Sequence, residues 1–221
     1  MILRRGDSRK ANPMTKQKFG ARTIAGLAIL TAVVVVLQML GSFIRFGPFS
    51  ISLVLIPIVV GAALYGPLAG AWLGFVFSVV VLINDAAAFL AINIPGTVIT
   101  VLLKGTLAGF LSGIVYNLLK KWALVFKNLE KDKESWQINL GVVVAAIVCP
   151  VVNTGIFLLG CVIFFLPTIR AWGADAGYEN VGAYMLYGFV GGNFLFELLF
   201  NLILSPVIVQ IIRIGQRSVR K

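Results

Sequence analysis

The chain contains no histidine, and only 12% of its 221 residues are charged. The absence of His excludes His-ligated metal sites and the Ser-His and Cys-His pairs of nucleophilic enzymes. The sequence also lacks a G-x-x-x-x-G-K-[ST] loop, the usual phosphate-binding loop for ATP. Its two cysteines, Cys149 and Cys161, share one apolar run without metal-ligand spacing, so we interpret them as packing residues. We therefore predict a protein that is not an enzyme and that binds no cofactor itself.

The sequence is instead rich in apolar residues. Hydrophobic residues make up 59% of the chain, and the mean hydropathy is +0.98. A soluble domain carries about a quarter charged residues, roughly twice the share found here. We therefore predict an integral membrane protein that is embedded along nearly its whole length.

The few charges are arranged in a pattern. All but three of the 19 Lys and Arg residues lie in three clusters that alternate with long apolar runs. Basic segments beside membrane spans stay in the cytoplasm, so both termini and one central loop are predicted to be cytoplasmic. No basic stripe with interleaved aromatic residues occurs, so we predict contacts with lipid headgroups and no nucleic-acid partner. The predicted cytoplasmic segments are a basic tail (1–19), a loop at about 120–137 and a second tail (214–221).

The apolar runs predict an all-α membrane domain over residues 20–213 with six transmembrane helices. An even number of spans is required if both termini are cytoplasmic. The second run has about 15 residues and is short for a full crossing. It is either tilted, broken at Pro57 or shielded by neighbouring helices. The longest outside loop is predicted at 167–181, and the last span is predicted to be interrupted at Gly191 and Pro206. The predicted spans are 20–43, 51–65, 68–83, 96–119, 138–166 and 182–212.

Two segments of the chain resemble each other. Residues 66–77 and 105–116 both place glycines four positions apart within an apolar run. Glycines at this spacing give a helix a flat face on which another backbone can pack closely. The simpler interpretation is two helix faces that pack independently, and an internal duplication is the alternative.

Lys104 lies inside the predicted fourth span, about 12 Å from its outer end. A charge at this depth costs several kcal/mol unless the protein compensates it. Three interpretations are open: the side chain snorkels to the outer interface, it pairs with Glu197 of the sixth span, or it meets an anionic substrate in a cavity. Glu197 is the only acidic residue well inside a predicted span.

Amide side chains gather at a similar depth, where each needs a hydrogen-bond partner. Together with Lys104 they predict a polar cavity that opens outward between spans four to six, with aromatic side chains of the outer loop as a cover. Such a cavity suits a small anion that bears hydroxyl or amide groups. The candidate substrate-binding residues are Lys104, Asn153, Thr154, Asn193, Asn84, Arg170 and Trp172.

The first span carries small residues at helical spacing. Ala21 and Ala25 lie four residues apart, as do Ala28 and Ala32. This spacing gives a smooth stripe on which another helix can pack. Packing within the chain is the default explanation, and docking of a partner membrane protein is the more specific alternative.

Taken together, these residues resemble the substrate-binding S components of energy-coupling-factor (ECF) vitamin transporters. The resemblance covers about residues 20–213 and is closest to the pantothenate-type branch, with folate as the next candidate. Its carriers are the alanine-spaced first span, 51–74, 104–109 and 150–155.

The resemblance implies a multi-pass protein of the prokaryotic plasma membrane that captures a vitamin on the outside. It would dock through Ala21, Ala25, Ala28 and Ala32 onto a transmembrane coupling protein that carries two ATPases, and ATP would be used by these partners. Pantothenate is a small carboxylate with hydroxyl and amide groups, which matches the predicted cavity. Another water-soluble vitamin is an alternative, and so is an autonomous secondary carrier with a coupling-ion site at Asp85 or Glu197.

Overall fold

The computed structural model describes residues 20–43, 45–46, 49–50, 53–125 and 133–219, with side chains for 20–43, 53–122 and 140–215. This part of the chain is helical except for turns and one two-residue antiparallel pairing of Arg45–Phe46 (β1) with Phe49–Ser50 (β2). The helices are α1 (Ala21–Gly41), α2 (Leu55–Tyr65), α3 (Pro67–Asn84), α4 (Ala87–Leu90), α5 (Ile94–Val125), α6 (Lys133–Phe164), α7 (Leu166–Asp175), α8 (Val181–Ala183), a π-helical turn (Tyr184–Phe189) and α9 (Gly191–Val219).

Five of the described helices are long and apolar enough to cross a membrane: α1, α3, α5, α6 and α9. A helix satisfies its backbone hydrogen bonds internally, which the hydrocarbon core of a bilayer requires. The 21 residues of α1 extend about 31 Å, close to the thickness of that core. The all-α membrane architecture is thus confirmed. The six-span count and the cytoplasmic location of both termini stay predictions.

The predicted second span is the short helix α2. Its 11 residues extend only about 16 Å, and most of them are buried against α3, α5, α6 and α9. Shielding by neighbours therefore explains the short run. Pro57 lies in the first turn of α2 and does not break it. The chain then turns at Gly66, whose φ of 96° favours glycine, and Pro67 begins α3.

Several connections are more helical than the sequence predicted. Helix covers the described parts of the predicted loop 120–137, while 126–132, like the tail 1–19, lies outside the described residues. The predicted outside loop 167–181 contains α7, which buries Ile169. The break before Gly191 is present, but the predicted interruption at Pro206 is wrong because α9 continues through it.

Helices α3 and α5 cross at backbone contact. A Cβ atom on Gly70 would collide with the carbonyl oxygen of Gly109, and one on Gly74 would collide with that of Gly105. A Cβ atom on Gly113 would lie 2.7 Å from Cα of Pro67. The two similar sequence segments therefore pack antiparallel on each other, which corrects the interpretation that they pack independently.

Helix α1 lies at the edge of the bundle. Only 17% of its apolar window is buried, compared with 44% for α3. Hydrogen bonds to the end of α3 attach it: Gln38 Nε2 and Ser42 Oγ both donate to Asp85 Oδ2, at 2.9 and 2.8 Å. Further along, Trp72 Nε1 donates to Thr31 Oγ1 at 3.1 Å. Most of the remaining surface of α1 is available to lipid or to a partner.

The glycine crossing gives a first prediction. Replacing Gly74 with Ala is expected to destabilise the protein by about 1–3 kcal/mol, because the new methyl group overlaps the backbone of Gly105. The measurement is the melting temperature in detergent. Gly155→Ala on α6 is the matched control, since nothing lies within 4 Å of its added Cβ atom. Equal melting temperatures for both variants would contradict the assigned packing.

Candidate binding site

Lys104 is held between two aromatic rings inside the bundle. Its Nζ lies 5.8 Å from the centroid of Phe77 on α3 and 5.1 Å from that of Phe157 on α6. The glycine crossing sets this geometry, because Gly105 packs directly against Phe77 and Ser78. Ring faces attract cations at such distances. The side chain thus has partners within the protein, which argues against snorkelling to the interface.

Two acidic residues are electrostatic neighbours of Lys104. Glu197 on α9 is the stronger electrostatic neighbour, and Asp85 at the end of α3 is the weaker one. Lys104 lies deep within the protein, yet part of its side chain remains accessible. Lys104 and Glu197 thus belong to one polar site.

The inward face of α6 shows how this site is ordered. The ring of Phe157 contacts Lys104 Nζ, Cys161 is an electrostatic neighbour of Lys104, and Cys149 is one of Glu197. The site therefore has a cationic end and an acidic end. The residues of this face follow at four-residue spacing and are all buried: Cys149, Asn153, Phe157 and Cys161. Asn153 lies between the two ends.

Helix α9 contributes a polar stripe to the acidic end. Asn193 Nδ2 donates to Glu197 Oε1 at 3.0 Å. Asn201 Nδ2 donates to the backbone oxygen of Glu197 at 2.8 Å. Both amide groups are thus oriented by Glu197, one turn on either side of it. Glu197 and Asn201 are each only 1% exposed.

Buried oxygen atoms without a hydrogen-bond partner occur close to Lys104 and to the residues that interact with it. A buried polar group without a partner costs about 1–3 kcal/mol, so native proteins keep few of them without a reason. Each atom belongs to a residue within about one helical turn of Lys104 or of a residue that interacts with it. Among the described side chains these atoms are Ser78 Oγ, Thr100 Oγ1, Asn153 Oδ1, Asn193 Oδ1 and Asn201 Oδ1. A bound molecule with complementary groups would satisfy them.

An aromatic cluster packs against the cationic end. Phe89 of α4 makes edge contacts with Phe157 at 5.6 Å and with Trp172 of α7 at 5.9 Å between centroids. Phe189 of the π-helical turn stacks on Phe157 at 6.2 Å. Edge and offset contacts of this kind stabilise aromatic clusters. Phe157 belongs to both the cluster and the Lys104 site, so the cluster covers that end.

The structure brings some of the predicted site residues together and separates others. Asn193 donates to Glu197, Asn153 shares the buried face of α6 with Phe157, and Trp172 lies in the aromatic cluster. Thr154 lines an apolar groove of about 190 Å³ between α6 and the start of α9. Arg170 is exposed on α7. Asn84 is also exposed, and it donates to the backbone oxygen of Val80.

Sequence reasoning missed Ser78, Thr100, Phe77 and Phe157. Phe157 carried a usable signal, because it follows Asn153 by four residues and therefore shares its helix face. Ser78 carried one only in combination with the glycine crossing, which places it opposite Gly105. The alanines of the predicted docking stripe, Ala21, Ala25, Ala28 and Ala32, are all exposed on α1.

Comparison with known proteins assigns the chain to a class. Residues 22–209 match the model of the family described as "ECF transporter, substrate-specific component". The chain belongs to this family. It is therefore a substrate-binding membrane component of a transporter, and enzyme activity is not implied.

A solved structure supports the same fold. ThiT from Listeria monocytogenes is similar with a TM-score of 0.58 over 86% of this chain and 97% of that chain. The sequences are 19% identical, so the likeness concerns the fold. No curated protein matches the sequence.

The unpartnered oxygens give a second prediction. Asn153→Leu is expected to leave the melting temperature of the ligand-free protein unchanged or to raise it, because a buried oxygen without a partner is removed. Ser112→Ala is the contrasting variant. Its hydroxyl donates to the Ala145 backbone oxygen at 3.1 Å, and its loss should cost about 1 kcal/mol. A large destabilisation by Asn153→Leu would show that Asn153 serves the fold instead.

Proposed function

We propose that this S component captures a small water-soluble vitamin, pantothenate before others, at the Lys104 site. The observation that carries the proposal is the set of five unpartnered buried oxygens in the site that contains Lys104 and Glu197. A structure that leaves so many polar groups unmet gains their hydrogen bonds when a matching ligand enters. The ligand-bound protein is therefore expected to be more stable than the ligand-free protein.

Pantothenate fits the two kinds of group that the site offers. Its carboxylate suits the ammonium group of Lys104, with which it would form a charge-assisted hydrogen bond. Its hydroxyl and amide groups suit Asn153 and the hydroxyls of Ser78 and Thr100. Folate and other anionic vitamins also carry a carboxylate. The choice of pantothenate therefore depends on its hydroxyl and amide groups.

The proposal extends to the partners that the family implies. Import would require a transmembrane coupling protein and two ATPases, which use the ATP, in the plasma membrane of a prokaryote. The exposed alanine stripe of α1 would dock on the coupling protein, because small side chains let helices approach closely. The low burial of α1 supports this assignment.

A vitamin screen tests the function itself. Purified chain is titrated with pantothenate, folate and the other water-soluble vitamins while the melting temperature and tryptophan fluorescence are followed. Trp172 packs beside the site at Phe89 and Phe189, so its emission should respond to the ligand. Stabilisation by one vitamin at low micromolar concentration or below is expected. Silence from folded protein across the whole panel would overturn the proposal.

The role of Lys104 gives a third prediction. Lys104→Met should weaken pantothenate binding at least tenfold, because the carboxylate loses the cationic partner that this proposal gives it. Titration calorimetry provides the affinity. Lys120→Met, an exposed position on the same helix, serves as the control and should bind like the wild type. An unchanged affinity of the Lys104 variant would remove this residue from the site.

The docking face gives a fourth prediction. Ala28→Trp and Ala32→Trp should abolish uptake in cells that express the whole transporter, while the purified variants still bind the vitamin. A bulky ring on the stripe keeps the two helices apart. Leu40→Trp, exposed near the other end of α1, is the control and should support transport. Normal uptake by both alanine variants would place the docking surface elsewhere.

A further inference from the structure

The amide groups of α9 have a defined orientation. Glu197 accepts from Nδ2 of Asn193 through its carboxylate and from Nδ2 of Asn201 through its backbone oxygen. Each Nδ2 donates one of its two hydrogens in these bonds, and this fixes the position of the carbonyl oxygen, which only accepts hydrogen bonds. Both oxygens are buried and have no partner. Glu197 acts as the positioning residue for this arrangement.

The two ends of the site therefore have opposite hydrogen-bonding character. Lys104 at one end has an ammonium group, which only donates. The α9 end presents a carboxylate and two amide oxygens, all of which accept, along about 12 Å of helix from Asn193 to Asn201. A ligand that carried only acceptors would leave the α9 oxygens unmet and would bring its own oxygens against Glu197.

We infer that the site selects two-ended molecules, with an acidic group at Lys104 and hydrogen-bond donors at α9. The donors are hydroxyl, amide N–H or amine groups that bind the Oδ1 atoms of Asn193 and Asn201. This inference rests on the proposed function and adds its specificity rule. Small anions without donors are rejected by the α9 end, whatever their fit at Lys104.

A structural explanation for the same residues makes a different claim. If Asn201 served only to stabilise α9, its removal would weaken the fold and affect every ligand alike. Its Nδ2 bonds a backbone oxygen within its own helix, whereas its Oδ1 bonds nothing. The unbonded atom is the one that a ligand would use. If it is kept for a ligand, replacing it with an apolar group should stabilise the ligand-free fold.

The test compares three probes on the full-length chain in detergent. The probes are pantothenate, pantothenol, which replaces the carboxylate with an alcohol, and pantothenate with both hydroxyl groups methylated. Affinities are measured for the wild type, Lys104→Met and Asn201→Leu. Ser205→Ala is the control, because Ser205 is buried one turn further along the same stripe and its hydroxyl is not among the unpartnered atoms.

The wild type is expected to prefer pantothenate over each altered probe by at least tenfold. Lys104→Met should abolish only the preference over pantothenol, and Asn201→Leu only the preference over the methylated probe. Ser205→Ala should keep both preferences. Asn201→Leu that weakens all three probes by the same factor, or none of them, overturns the inference.

Failure of the proposed substrate has a separate signature. If the wild type binds none of the three probes, pantothenate is not the substrate, and the melting temperatures of the ligand-free variants decide the inference. Asn201→Leu that melts at or above the wild type supports oxygens kept for a ligand. A melting temperature lower by several degrees shows that Asn201 stabilises the fold, and this outcome overturns the inference.

Discussion

The close approach of α3 and α5 is the contact on which the rest of the structure depends. Backbone meets backbone at Gly70–Gly109 and Gly74–Gly105, and no residue larger than glycine fits there. Because Gly105 follows Lys104, the crossing also fixes where the ammonium lies relative to Phe77. In a bilayer, where apolar burial between helices gains little over lipid, such contacts supply much of the packing energy. One set of glycines thus serves both the fold and the site.

The bundle combines a well-packed apolar part with a part in which buried polar groups lack hydrogen-bond partners. Around α2 the core is apolar and closed, with Leu55, Ile58 and Val59 fully buried. In the site formed by Lys104 and Glu197, by contrast, buried oxygens from four helices have no partner. A protein that binds its substrate tightly but must later release it benefits from this division, because the ligand's contribution is confined to a few polar groups while the apolar core maintains the fold.

The sequence predicted the class of fold because it depends on composition: long apolar runs flanked by basic clusters leave few alternatives to a helical membrane protein. It also singled out Lys104, Asn153 and Asn193 as candidates, since a polar side chain within an apolar run stands out. It did not identify Ser78 or Phe77, which are unremarkable in their own helix and gain significance only when α3 packs on α5. Nor did it predict α7, whose apolar residues are too few to stand out. Arg170 and Asn84 stood out as polar residues, yet they lie at the surface.

The attachment of α1 has a mechanical consequence. This helix is bare along its alanine face and is bonded near its far end, through Gln38 and Ser42, to Asp85. A second hydrogen bond, from Trp72 to Thr31, attaches α1 to α3 nearer its middle. A partner that displaced α1 would therefore act on Asp85, an electrostatic neighbour of Lys104. The exposed face of α1 is in this way connected through Asp85 to the surroundings of Lys104.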